Sequence, residues 1–136
     1  LGTDGAASNN DLDLFDELRD AAMIGKLGAN DASAVPAEAA VQMATQGGAE
    51  ALSLPGGRVE AGAAADLAII DLDAPHLAPA HDLVSHLAYA VRGSDVRHTV
   101  CDGQILMQDR ELTTLDEKQV VETARRRAVD LVARAE

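Results

Sequence analysis

Residues 1–22 read LGTDGAASNNDLDLFDELRDAA, and this stretch decides the fold. Leu1-Gly2-Thr3 is a short apolar run, too short for a whole strand but sufficient for the last residues of one. Gly5 to Asn10 are small and turn-forming. Asn10 can then cap a helix that begins at Asp11, with Asp11 and Asp13 placed near its positive end. Leu14, Phe15, Leu18, Ala21, Ala22 and Gly25 recur at helical spacing and predict one buried stripe, with Gly28 as its stop. Strand end, turn and helix make one βα unit. Asp4 stands at the carboxyl end of that strand, where α/β architectures gather catalytic groups. A carboxylate there can ligate a divalent ion and move a proton. The spacing also allows a plainer role, in which Asp4 only caps the turn by accepting backbone N–H bonds.

Working outward, residues 29–35 read as a loop. Pro36 suits the first helical position, with Glu38 near the positive end. Ala39, Ala40, Met43 and Ala44 line one face as far as Gly47-Gly48, and a shorter helical piece is expected over Ala49–Leu54. Pro55-Gly56-Gly57 breaks the pattern and marks the expected domain boundary. Beyond it, Arg58–Glu60 predicts a short strand and Asp66–Leu72 a strong one. Pro75 and Pro79 interrupt regular structure, and Leu83–Val91 reads as a short helix. Val96–Cys101 and Gln104–Met107, joined by Asp102-Gly103, predict a hairpin with a type I′ turn. A last helix is expected from Asp116 to Ala135, with a stripe of Val120, Val121, Ala124, Ala128, Leu131, Val132 and Ala135.

Thr3-Asp4-Gly5-Ala6-Ala7-Ser8-Asn9-Asn10 followed by Asp11-Leu12-Asp13 resembles the motif after the last barrel strand of the amidohydrolase superfamily. It is most similar to the branch that deaminates S-adenosylhomocysteine and methylthioadenosine, with chlorohydrolases close behind. Further likenesses run along the chain. Met43-Ala44-Thr45 to Gly48-Ala49, Ala51-Leu52, Gly57 to Gly62 and Ala65-Asp66-Leu67 resemble the passage into that family's small β domain. Pro75-His76-Leu77, Val91 to Val96 and Asp102-Gly103 resemble its end. Relatives usually carry a lysine where Ala63 and Ala64 stand, a change expected to alter surface charge and not catalysis. The resemblance implies that Asp4 ligates the catalytic metal and shuttles protons. It also implies that the site's other parts lie outside this sequence: a His-x-His pair, two further histidines and a glutamate. Ser8 and Asn9 are weak substrate-binding candidates and otherwise, with Asn10, shape the loop.

The remaining residues carry plainer readings. His76, His81 and His86 recur every five residues, which does not place them on one helical face, and His98 falls in a strand. Packing or surface roles suit them better than a metal cluster. Arg92 and Asp95 are expected to form a local turn or ion pair. Arg125-Arg126-Arg127 falls on the polar side of the last helix. Cys101 is expected to be a buried structural thiol, and a single cysteine excludes an internal disulfide.

Composition bounds the partners. With 23 acidic against 11 basic residues the net charge is −12, a surface that repels phosphate backbones and disfavours nucleic acid. Lys26 and Lys118 are the only lysines, a balance that suits high salt, although a GC-rich genome would favour the same residues. No run approaches the roughly 18 consecutive apolar residues of a membrane span. The chain starts at Leu1 without a Met or a leader pattern, which suggests a segment of a cytoplasmic protein.

The expected fold is α/β. Residues 1–54 would be the C-terminal end of a (β/α)8 barrel, 55–115 most of a small composite β domain, and 116–136 a C-terminal helix. The implied function is hydrolytic deamination of an adenosine-type substrate by a longer protein, with a divalent metal, Zn²⁺ first, as cofactor. The partner is a purine-like or triazine-like small molecule, with no nucleic acid and no membrane, and the full protein is expected to be a homo-oligomer. One carboxylate cannot hold a hydrolytic zinc, so the chain alone is expected to be inactive. Alternatives are a chlorohydrolase or another nucleobase or triazine aminohydrolase, and, in a different class, a non-catalytic remnant or partner subunit.

Overall fold

The computed structural model describes residues 1–135. Helix α1 runs over Leu14–Ala29, α2 over Ala37–Ala44 and α3 over Gln46–Ala51. Strand β1 (Leu67–Ile70), helix α4 (Leu83–Tyr89), strands β2 (Val96–Cys101), β3 (Gln104–Gln108) and β4 (Glu111–Leu112), and helix α5 (Glu117–Ala135) follow.

Local chemistry sets the ends of α1, and not where Asn10 and Gly28 suggest. Leu12 has φ +55, a left-handed conformation that no helix passes through. The helix therefore starts after it, and Asp13 is the cap, its carboxylate accepting the Phe15 N–H at 2.9 Å. Asp16 and Glu17, not Asp11 and Asp13, occupy the first turn. At the other end Asn30 takes the left-handed position, with Asn30 N–H to Leu27 O and Asp31 N–H to Lys26 O, the paired bonds of a Schellman motif. Gly28 stays inside the helix. Pro36 sits one place outside α2 as its cap residue. Asp82 caps α4 by accepting the Ser85 N–H at 2.9 Å.

Leu18 and Ala22 of α1, Ala40 of α2 and Ala88 of α4 form a buried centre, with Val35, Ala37, Val41, Ala44 and Tyr89 packed around it. Alanines at these crossings let the helices approach closely. Lys26 ties the rim together, its ammonium donating to Val35 O at 2.6 Å and to the Tyr89 hydroxyl at 2.9 Å. Of the expected α1 stripe, Leu18 and Ala22 are buried, whereas Leu14 is exposed.

The four strands form one antiparallel sheet in the order β1-β2-β3-β4. Asp102 (φ +48) and Gly103 (φ +76) give both central residues of the first hairpin the positive φ of a type I′ turn, as expected. A second tight turn, Asp109 (φ +50) and Arg110 (φ +66), adds the short strand β4 without a glycine to announce it. Arg97 on β2 donates to Asp109 at 2.7 Å across that turn, and the pairing holds the Asp109 carboxyl below its ordinary value. The expected strand at Arg58–Glu60 is absent: the segment has no ladder partner, and its two charged side chains pair with each other at 3.0 Å. Nor do residues 1–4 form a strand end, because no neighbouring strand is present to pair with them among the described residues. Pro75 starts a short 3-10 turn to Leu77, whose side chain is fully buried.

Helix α5 has the expected length but not the expected burial. Val120, Val121, Leu131 and Val132 are exposed, Leu131 at 69%. Ala135, last in that stripe, lies outside the residues whose side chains are described. Leu27 and Ile24 on the outer side of α1 are also exposed. Cys101 is exposed as well, because it ends β2 beside the turn where Gln104 is its partner. The Asp66 carboxylate pushes its thiol pKa up, with Asp102 adding to the effect. The thiol is a poor nucleophile, then, chiefly through the neighbouring charge, with partial desolvation adding to it.

Candidate functional site

Asp4 stands at the start of a loop that the chain builds from its own short-range bonds. The Gly5 carbonyl accepts the N–H groups of Ser8 at 2.9 Å and Asn9 at 3.0 Å, closing a single turn. That turn sets Ser8 four residues above Asp4, and the Ser8 hydroxyl donates to Asp4 Oδ2 at 2.9 Å. Asp4 has φ +59, a conformation that Asp tolerates better than most residues. Its side chain is exposed, and Oδ1 accepts no hydrogen bond among the described residues. Among the described residues the carboxylate takes no backbone N–H, so whatever it contributes to the turn comes through the Ser8 hydroxyl. What remains is an anionic oxygen held on one side and open on the other.

Asn9 takes a loop-shaping role, whereas Asn10 does not take the capping role the sequence suggests. The Asn9 amide nitrogen donates to Glu17 on α1, and its oxygen accepts the Leu12 N–H at 2.9 Å. Both ends of the Asn9 side chain are therefore used to shape the loop. Asn10 caps nothing; the residue after Leu12 does so.

The far end of the loop is anchored by a contact that sequence reasoning did not find. Asp13 Oδ1 caps α1, while Asp13 Oδ2 accepts the Gly93 N–H at 2.7 Å, across 80 residues of chain. A Cβ at Gly93 would lie 3.1 Å from both Asp13 oxygens, a crowded contact from which the carboxylate would have to shift by a few tenths of an ångström. The sequence suggests a cap at Asn10; the signal that points to Asp13 is that it directly precedes the apolar run at Leu14, whereas nothing local points to Gly93. Arg19 reinforces the junction with a bond to Val91 O at 3.3 Å.

Beside Gly93, Asp95 is 5% exposed and accepts both the Arg92 backbone N–H and the His76 ring nitrogen at 2.9 Å. The expected local turn is present, but no Arg92–Asp95 ion pair forms among the described residues. Burial pushes the Asp95 carboxyl up, yet His76 and the Arg92 N–H together pull it below its ordinary value. His98 takes a structural bond from the Asp109 N–H at 3.2 Å, and His86 contacts its own helix cap. No three His, Cys, Asp or Glu groups come together as a metal site among the described residues. Asp4 thus fits a metal as one ligand only, a hard anionic oxygen suited to a divalent ion.

A sequence model described as the amidohydrolase family matches residues 1–106. The chain belongs to that family. It is 69% identical over 135 residues to a 5-methylthioadenosine/S-adenosylhomocysteine deaminase of Haloarcula marismortui, covering 99% of this chain and 31% of that one. This amidohydrolase chain therefore spans about a third of the length of such relatives. Its structure resembles an adenosine deaminase from Xanthomonas campestris with bound zinc, at a TM-score of 0.87 and 41% identity, covering 90% of this chain and 28% of that one. It also resembles a zinc-complexed atrazine chlorohydrolase from Arthrobacter aurescens, at a TM-score of 0.78 and 29% identity over 88% of this chain and 27% of that one. No described helix is long and apolar enough to cross a membrane.

Proposed function

We propose that residues 1–136 are the C-terminal part of a cytoplasmic, metal-dependent deaminase acting on adenosine-type nucleosides such as 5′-methylthioadenosine and S-adenosylhomocysteine. The observation that carries this reading is the 69% identity to the Haloarcula marismortui deaminase over 99% of this chain. In this reading residues 1–54 close a (β/α)8 barrel, 55–115 form most of a small β domain, and 116–136 a terminal helix, in a protein that assembles as a homo-oligomer. The uncovered faces of α1 and α5 support a chain that packs against further polypeptide.

A bound divalent ion, Zn²⁺ first, would supply Lewis-acid activation of water. Asp4 would be its one ligand from this chain. The Asp4 carboxylate would take the proton of the water whose oxygen bonds to the amine-bearing ring carbon. It would then return that proton as the C–N bond breaks and ammonia leaves. Asn9 and Asp13 hold the loop against α1 so that the carboxylate keeps one position.

The test is ammonia release by the full-length protein from 5′-methylthioadenosine, S-adenosylhomocysteine and an aminotriazine, with an Asp4→Asn variant alongside. A loss of about a thousand-fold or more in kcat/KM is expected, of the order seen when an essential proton carrier and ligand is removed. Near-normal turnover would refute the role of Asp4. The likeness to the Arthrobacter aurescens enzyme favours a second reading, loss of chloride or an amine from a triazine. Turnover of the triazine alone would select it, and no turnover of any substrate would favour a non-catalytic partner.

A further inference from the structure

We propose that Ser8 is the positioning residue for Asp4, holding Oδ2 within the loop so that Oδ1 alone faces the ion and the reacting water. The inference rests on the reading of Asp4 given above and adds to it. Three observations carry it. The closed turn on the Gly5 carbonyl puts the Ser8 hydroxyl directly over the Asp4 carboxylate. That hydroxyl has two acceptors in reach, Asp4 Oδ2 at 2.9 Å and the Gly5 carbonyl at 3.2 Å. One proton can serve one of them well, and the shorter bond to the anion is the stronger, since charge-assisted bonds are roughly twice as strong as neutral ones. Finally, Asp4 is exposed and left-handed, and among the described residues no other side chain bonds to its carboxylate, so without Ser8 none of them sets its torsion.

The geometry also separates Ser8 from Asn9. Asn9 spends both ends of its amide on the loop; Ser8 spends its hydroxyl on the carboxylate itself. A group that orients a metal ligand affects turnover and metal retention together, whereas a substrate contact affects KM. Replacing such orienting partners typically costs about 10–100-fold in metal affinity or activity.

The experiment compares wild type, Ser8→Ala, Ser8→Thr and Asp4→Asn in the zinc-loaded full-length protein. Three quantities are read: kcat and KM for 5′-methylthioadenosine, zinc retained against a competing chelator, and the thermal unfolding midpoint. Ser8→Ala should lower kcat about 10–100-fold with KM within about two-fold, and zinc should be lost more readily. Ser8→Thr keeps a hydroxyl and should restore most of both. The unfolding midpoint of the zinc-free protein should not move. If Ser8→Ala raises KM at unchanged kcat, Ser8 contacts substrate and the proposal is overturned. It is equally overturned if neither kcat nor zinc retention changes, or if Ser8→Thr fails to rescue. If Asp4→Asn is itself active, the reading of Asp4 fails instead, and the two failures are told apart.

Discussion

Replacing Asp13 by alanine removes two bonds at once, and their sum can be worked from the geometry. Its Oδ1 caps α1 through the Phe15 N–H at 2.9 Å, a contribution of about 1 kcal/mol. Its Oδ2 accepts the Gly93 N–H at 2.7 Å in a half-buried setting, and a bond to a charged acceptor contributes about 1.5–3 kcal/mol. Asp13→Ala should therefore cost about 2.5–4 kcal/mol, read as a shift in urea midpoint at constant salt and unchanged m-value. A double-mutant cycle with Gly93→Ala sharpens the test. The added Cβ would sit 3.1 Å from both Asp13 oxygens and must displace them. Once Asp13 is alanine that crowding is gone, and Gly93→Ala should cost much less than it does in the wild type. A loss below about 0.5 kcal/mol for Asp13→Ala, the range of ordinary surface substitutions, would refute the reasoning. So would strict additivity of the two changes.

Two further outcomes follow from the charges. The Asp95 carboxyl lies below its ordinary value of 3.8 in the folded chain, because the His76 ring and the Arg92 N–H outweigh the burial that opposes them. Its stabilising contribution is thus present above pH 3.8 and is lost as pH falls through the depressed folded value. His76→Ala removes one of the two partners, and the midpoint of acid unfolding should move to higher pH; an unchanged midpoint would contradict the bond. Cys101 is exposed, but the nearby Asp66 carboxylate raises its thiol pKa. Alkylation at pH 8 should accordingly be faster in Asp66→Asn than in wild type, and peptide mass spectrometry reporting equal rates would dismiss the charge effect.

What could be read along the chain was whatever nearest neighbours decide. The Asp102-Gly103 hairpin was legible because a type I′ turn needs positive φ at two successive residues and few dipeptides allow it. The α4 helix was legible from its short apolar run. The Asp109-Arg110 turn was not, because neither residue advertises positive φ, and the ladder between β3 and β4 is what makes the conformation worth adopting. The same limit misplaced the α1 cap by three residues. Asn10, Asp11 and Asp13 are all competent caps, and the bond to Gly93 from a distant segment favours Asp13. The stripe on α5 was periodic enough to predict an amphipathic helix, but periodicity says nothing about whether a partner lies on the apolar face.

The Asp4 loop shows the same division. The sequence by itself determined the family and singled out Asp4 as the carboxylate to test, because residue types at fixed spacing identify a motif and a short turn is closed by bonds three and four residues apart. The Ser8 bond to Asp4 spans four residues and belongs to that local turn; only the tertiary structure decided how the loop is held beyond it, by Asn9 onto α1 and by Asp13 onto Gly93. The last of these joins residues 80 apart. Contacts of that range depend on how whole elements pack, and packing is a property of the assembled chain that no local stretch carries.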